Sequence, residues 1–252
     1  MLALRRREFA DGYMTASRHI IIGRRFCGPP QSGNGGYTCG MLSAAAGTAL
    51  EVRLIRPPPL DQPLDVREDP ENSQVLLLHG NDLVATGKPK KAVELAVPEP
   101  PDYAEALAAA RNYAGFREHA YPSCFVCGPE RVRGDGMRIF AAAIGGGDVF
   151  AAPWLPDQSL AGSDHKVLPE FMWAALDCPG YFATGAHARG PLLGQFVAQV
   201  DRRVHVNEAC VVIGWLVGRE GRKHYAGTAV FDEDGEICAR AYATWIELKN
   251  PL

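Results

Sequence analysis

Val97-Pro98-Glu99-Pro100-Pro101-Asp102-Tyr103-Ala104-Glu105-Ala106-Leu107-Ala108-Ala109-Ala110-Arg111 divides the chain. Neither a helix interior nor a central strand tolerates prolines packed this densely. Directly after them, Asp102 is placed to cap a helix and Glu105 to close a capping box, and Ala and Leu dominate the stretch up to Ala110. The spacing predicts a linker helix over about 102–117, inside a connecting segment 100–120. That segment separates a first unit, 17–99, from a second, 121–250.

The two units read alike. In the first, the turn Ser32-Gly33-Asn34-Gly35-Gly36 opens a small-residue segment, Tyr37 to Ala49, that reads as a buried helix. Strand-like runs come next at Leu50–Ile55, Leu64–Arg67, Val75–His79, Leu83–Thr86 and Ala92–Val97. In the second, Leu168-Pro169-Glu170 opens Phe171–Asp177, and Pro169 suits a first helical turn. Strands are expected there at 196–200, 209–217, 225–231 and 237–248. Asp82-Leu83-Val84-Ala85 lies over Glu236-Ile237-Cys238-Ala239, and Arg56 with its Pro-rich bend lies over Arg202-Arg203. Each unit is therefore read as α+β, one helix followed by an antiparallel meander, with two unrelated meanders as the alternative.

Composition is that of an ordinary globular chain: 252 residues, 47% hydrophobic, 22% charged, net charge −3. Fibrous, low-complexity and largely disordered classes are excluded. The near-neutral balance leaves no footprint for nucleic acid or for an anionic membrane. No apolar run approaches the roughly 18 residues of a membrane span. Arg5, Arg6 and Arg7 are followed by Glu8 and Asp11, where a signal peptide would place its apolar stretch. A soluble, cytoplasmic protein is expected.

The seven cysteines read as reduced thiols. Cys124 and Cys127 form a CxxC, and with the looser pair Cys27 and Cys39 a zinc knuckle is conceivable. The second pair lacks knuckle spacing, however, and Cys178, Cys210 and Cys238 sit in apolar contexts like buried thiols. A redox CxxC would open a helix, but Gly128-Pro129 come after this one. His165, His187 and His205 have no ligand spacing. No metal and no cofactor are expected.

Cys124-Phe125-Val126-Cys127-Gly128-Pro129, Gly136-Met137-Arg138-Ile139 and Pro169–Asp177 resemble the corresponding stretches of PaaI-like acyl-CoA thioesterases of the hotdog-fold superfamily. Arg219–Lys223 with Gly235–Ala241 resembles their last strands. The likeness is closer over 121–248 than over 20–97. It implies a tandem double hotdog, one chain imitating the dimer of single-hotdog enzymes. It also implies an acyl-CoA substrate, a place in lipid metabolism, and assembly as a homo-oligomer, a dimer of double hotdogs.

Asp177 ends a strongly apolar segment, seven positions after Glu170 and so on the same helical face. Pro179-Gly180 predict that the helix ends or kinks near Cys178. A carboxylate near a helix C-terminus and in apolar surroundings is pushed toward the pKa of a general base. A solvated terminal carboxylate, or a cap on the next turn, is the alternative. Asn34-Gly35-Gly36 leads directly into a helix, so its backbone donors could approach a ligand; a plain loop is the alternative. It is neither a Walker motif nor a dinucleotide fingerprint.

The resemblance assigns Asp177 the role of base or nucleophile, with Glu170 beside it. It places Asn34, Gly35 and Gly36 where such proteins keep His-Gly-Gly, as an oxyanion hole. The first unit has Ser43 or Ala44 where an acid would stand, and the second has Leu168-Pro169-Glu170 in place of the glycines. One composite site is therefore expected, with the Gly turn of one unit completing the acid of the other. Arg219, Arg222 and Lys223 could hold coenzyme A phosphates, or simply end a charged hairpin. Gln195 and Gln199 could orient water. Trp173, like Trp154, Trp215 and Trp245, reads as core or pocket wall. The expected activity is thioester hydrolysis, and ligand binding without turnover is the alternative. The Asp…Asn-Pro…His arrangement of hotdog hydratases is absent from the sequence.

Overall fold

The computed structural model describes residues 18–90, 92–186 and 190–249. The basic residues 5–7, His187 and the outermost bounds 17 and 250 of the two expected units lie outside these. The chain runs β1 (Arg18–Ile21), α1 (Gly35–Ala46), β2 (Leu50–Leu54), β3 (Pro63–Asp69), β4 (Gln74–His79) and β5 (Asp82–Pro89). After α2 (Tyr103–Ala110) come β6 (Ala142–Ala143), β7 (Val149–Trp154), α3 (Pro169–Ala175) and α4 (Cys178–Ala183). The strands β8 (Leu192–Val200), β9 (Cys210–Glu220), β10 (Lys223–Phe231) and β11 (Ile237–Ile246) complete it.

All the strands join in one sheet, ordered β1-β3-β4-β5-β2-β8-β11-β10-β9-β7-β6. Read inward from the left, the first half runs β1-β3-β4-β5-β2. Read inward from the right past β6, the second runs β7-β9-β10-β11-β8, the same order of equivalent strands. The halves meet where β2 pairs with β8, Glu51 to Arg53 opposite Val197 to Gln195. The first strand of each half, β1 and β7, carries no clear sequence signal, because Pro153 and short length blur the alternation.

Two segments differ from the sequence expectation. The capping box forms, with Glu105 N–H on Asp102 Oδ1 at 2.7 Å and Asp102 N–H on Glu105 Oε2 at 3.1 Å. The helix nevertheless stops at Ala110, and only a 3-10 turn, Ala114–Phe116, continues toward 117. Tyr113 is drawn into the core there and donates its hydroxyl to Cys127 O at 2.8 Å, a tertiary contact that overrides the local alanine preference. Ala92–Val97 is not a strand of the first half. Val93 N–H bonds Gln199 Oε1, and Leu95 packs with Trp215 over Gly227 on the second half's sheet. With α2 above it, this face buries Val211 and Ile213, while the other face buries Cys210 and Val212. Burial on both faces is why β9 reads as a continuous apolar run.

The seam between the halves is also a helix crossing. α1 packs on α3 through Gly36 and Gly40: an added Cβ at Gly36 would lie 2.7 Å from Asp177 Cβ, and one at Gly40 2.9 Å from Trp173 Cβ. Only bare backbone allows that approach. Alanine improves an isolated helix over glycine, so Gly40→Ala separates propensity from packing. It is expected to destabilise the protein by about 1–3 kcal/mol through overpacking, measured by urea unfolding; a gain in stability would show that the crossing has room.

Candidate active site

Asn34 caps α1: its Oδ1 accepts the Tyr37 N–H at 2.9 Å, which leaves its amide NH2 to point away from the helix. That group donates to Asp177 Oδ2 at 2.7 Å, and the Gly36 N–H donates to the same oxygen at 3.0 Å. The sequence break near Cys178 is present, and Asp177 sits in it, after the last turn of α3 and before Cys178 opens α4. The acid of the second half thus rests on the helix start of the first. The positive end of α1 offsets the negative end of α3, just ahead of the acid.

Burial still dominates. Asp177 is 2% exposed, and its Oδ1 has no hydrogen-bond partner among the described residues. Loss of solvent pushes its pKa up to about 7, helped by the neighbouring Cys124 thiol, while the Gly36 N–H and Asn34 pull the other way. A carboxyl group in that range can accept a proton near neutral pH. The Gly35 N–H, first in α1, has no partner among the described residues either.

These groups open onto a cavity of about 790 Å³. Leu193, Tyr181, Trp245 and Ile246 supply apolar wall, and the exposed cations Arg56, Arg222 and Lys249 also line it. Arg56 pairs with Asp82 at 2.6 Å, and Arg222 Nη1 donates to Glu247 O at 2.8 Å.

Asn34, Gly35, Asp177 and Arg222 line this cavity, and Gly36 reaches it through its bond to Asp177. The other residues singled out from sequence stand apart. Glu170 stands in the first turn of α3, its backbone against Gly40, and it is not a lining residue. Trp173 is buried at the helix crossing, edge-on to Phe196 at 5.7 Å. Gln195 is opposite Arg53 at the β2–β8 seam. Gln199 is taken by Val93 N–H and Asp201. Arg219 Nη2 donates to Thr184 O at 2.6 Å, closing the end of α4, and Lys223 pairs across from Glu220 on the far hairpin. Of the four tryptophans, Trp245 lines the cavity.

Sequence reasoning missed His119, Tyr121 and Tyr181, and the cations Arg56 and Lys249, all of which line the cavity. Arg56 had one signal, its position in the repeat. Cys124, Cys127 and Cys178 also come together on this wall; the sequence paired the first two with Cys27 and Cys39 instead. Cys27 is held by Ser123 O and Arg131, and Cys39 is buried within α1.

No protein-family model and no curated protein matches this sequence. Solved structures do. A Novosphingobium aromaticivorans protein assigned as a thioesterase superposes with TM-score 0.58 at 12% identity, over 92% of this chain and 96% of its own. A tesB protein of Mycobacterium avium subs paratuberculosis superposes with TM-score 0.55 at 13% identity, over 86% and 87%. A thioesterase superfamily protein matches over 44% of this chain at 14% identity, with TM-score 0.41, and this chain spans 55% of its length. The chain has an α+β hotdog fold. The first two likenesses extend over most of its length.

Asp177→Asn tests whether the carboxylate is kept for stability. An amide oxygen in place of Oδ2 keeps both hydrogen bonds, and the NH2 falls where Oδ1 already has no partner. The variant is expected to melt at the wild-type temperature or above it at pH 8, because a desolvated charge is removed. A fall of several degrees in differential scanning calorimetry would show that the charge itself holds the helices together.

Proposed function

We propose that the chain is a double hotdog, with units 17–99 and 121–250 joined by the segment 100–120, and that it hydrolyses acyl-CoA thioesters at a single composite site. The observation that carries this reading is the buried Asp177 carboxylate of one half, held on the Gly36 N–H and Asn34 of the other. The fold supports it, since the two structures similar over most of the chain are described as thioesterase and tesB protein.

In this reading the acyl chain lies on the apolar wall, and the phosphates of coenzyme A meet Arg222, Lys249 and Arg56. Asp177 takes a proton from water as the water oxygen attacks the thioester carbonyl, or attacks that carbon itself. The unpartnered Gly35 N–H donates to the developing oxyanion. The C–S bond then breaks and the thiolate leaves. With water as the nucleophile, the proton held on Asp177 is returned to the thiolate. With Asp177 as the nucleophile, water hydrolyses the resulting anhydride, freeing the acid and the carboxylate and supplying the thiolate's proton.

Binding without turnover is the second reading. It is favoured by one contact: the Gly36 N–H is spent on Asp177, leaving the oxyanion with the single donor at Gly35.

Free-thiol release from a panel of acyl-CoAs of different chain length separates the two. Hydrolysis is expected, and it should fall at least about 100-fold in Asp177→Asn, the range of a lost general base. Thermal stabilisation by acyl-CoA with no thiol release above that of Asp177→Asn would establish the binding reading instead. Arg222→Ala is expected to raise KM for acyl-CoA by about tenfold, one charge-assisted phosphate contact, with kcat little changed. The matching acyl-pantetheine, which lacks the nucleotide, should not distinguish the variant from wild type.

A further inference from the structure

Three cysteines from two distant segments meet on the cavity wall. Cys124 and Cys127 occupy a tight turn: the Gly128 N–H donates to Cys124 O at 2.9 Å and the Cys124 N–H to Tyr121 O at 2.9 Å. A Cβ on residue 128 would come within 2.4 Å of Pro122 O, so the Cys-x-x-Cys-Gly turn admits glycine alone at its end. Cys178 arrives from the first residue of α4. All three are buried, and their sulfurs lie within 4.8 Å of one another.

The spacing is that of a coordination polyhedron. Cys124 Sγ and Cys178 Sγ are 3.8 Å apart, too far for a disulfide. Two thiolates on a tetrahedral Zn²⁺, each about 2.3 Å from the metal, stand about 3.8 Å apart. Cys127 is fixed, its carbonyl accepting the Tyr113 hydroxyl at 2.8 Å.

His119 Nε2 lies 3.4 Å from Cys127 Sγ. Its Nδ1 accepts the Tyr121 N–H at 2.9 Å, so the ring proton of the neutral form sits on Nε2 and points at the sulfur. His119 is therefore a donor to the Cys127 sulfur, a supporting contact, and the protein ligands number three. Three protein ligands with a fourth position facing a cavity make an exchangeable site, unlike the closed four-ligand sites that are purely structural. Asp177 directly precedes Cys178 and lines the same cavity, and its Oδ1 has no hydrogen-bond partner among the described residues.

We propose that Cys124, Cys127 and Cys178 bind a thiophilic divalent ion, Zn²⁺ by preference, through three thiolates, with the fourth position open to the cavity beside Asp177. Binding releases the thiol protons to solvent and involves no oxidation. This inference stands apart from thioester hydrolysis, and either can fail without the other.

The test uses the full chain, stripped with a chelator under a phosphine reductant and titrated with Co²⁺. One equivalent is expected, with near-ultraviolet sulfur-to-cobalt charge transfer and the visible bands of a tetrahedral ion, both displaced by Zn²⁺. Cys124→Ser, Cys127→Ser and Cys178→Ser should each reduce the charge-transfer intensity, and Cys238→Ser should leave it unchanged. X-ray absorption at the zinc edge of the wild-type protein, which needs no variant to fold, should count three sulfurs and one lighter ligand. A folded, reduced wild type with no charge-transfer band overturns the proposal. So does a band that survives all three substitutions, or a zinc shell without sulfur.

Discussion

The hydrogen bonds from the α1 start to Asp177 Oδ2 are the point on which the rest of the site depends. A carboxylate removed from water is costly by several kcal/mol, and two donors with a helix terminus return only part of that. The upward displacement of its pKa, to about 7, says that burial exceeds what the donors supply. The contact also fixes geometry. It exists because Gly36 and Gly40 let α1 press on the α3 backbone, and that crossing sets the separation of the two halves beneath the β2–β8 seam.

The cavity depends on the same crossing. Between the α1 turn, α4 and the inner ends of β8 and β11, side chains are too few to fill the space, and about 790 Å³ stays open. Its walls are apolar and aromatic, with few polar groups converging on one end, the arrangement expected of a small-molecule site. The exposed cations come from three separate places, the bend after β2, the β9–β10 turn and the chain beyond β11. None of these is close to another in sequence, so no local charge cluster could have announced them.

What the sequence disclosed was mostly local. The proline stop, the Asp102–Glu105 box, the break after Leu176 and the special placement of Asp177 each depend on residues within a few positions of one another. The composite character of the site was legible too, because each half visibly lacks what the other keeps. What stayed hidden required knowing which surface covers which. Periodicity put Glu170 on the helical face of Asp177, but α1 lies against its backbone before the cavity begins. Arg219 and Lys223 formed a plausible anion-binding cluster with Arg222, yet strand alternation and the α4 terminus send the three to different places. Cys178 read as an ordinary buried thiol because its partners lie about fifty residues earlier in the chain.

The repeated strand order allows the position of Asp177 to be compared with its pseudo-equivalent in the first half. Asp177 stands eight residues after the first residue of α3, and the same count along α1 reaches Ser43. Ser43 is buried, with its hydroxyl unpartnered among the described residues. Where α1 begins with Gly35 and its N–H donor, α3 begins with Pro169, which has none. Leu168 offers no side-chain cap where Asn34 supplies one. The second pseudo-equivalent position thus lacks acid, donor and cap together. In a symmetric dimer each of those replacements would appear in both sites and disable both. Within one chain they fall on one side only, and the half that loses the acid is free to be shaped entirely around receiving it.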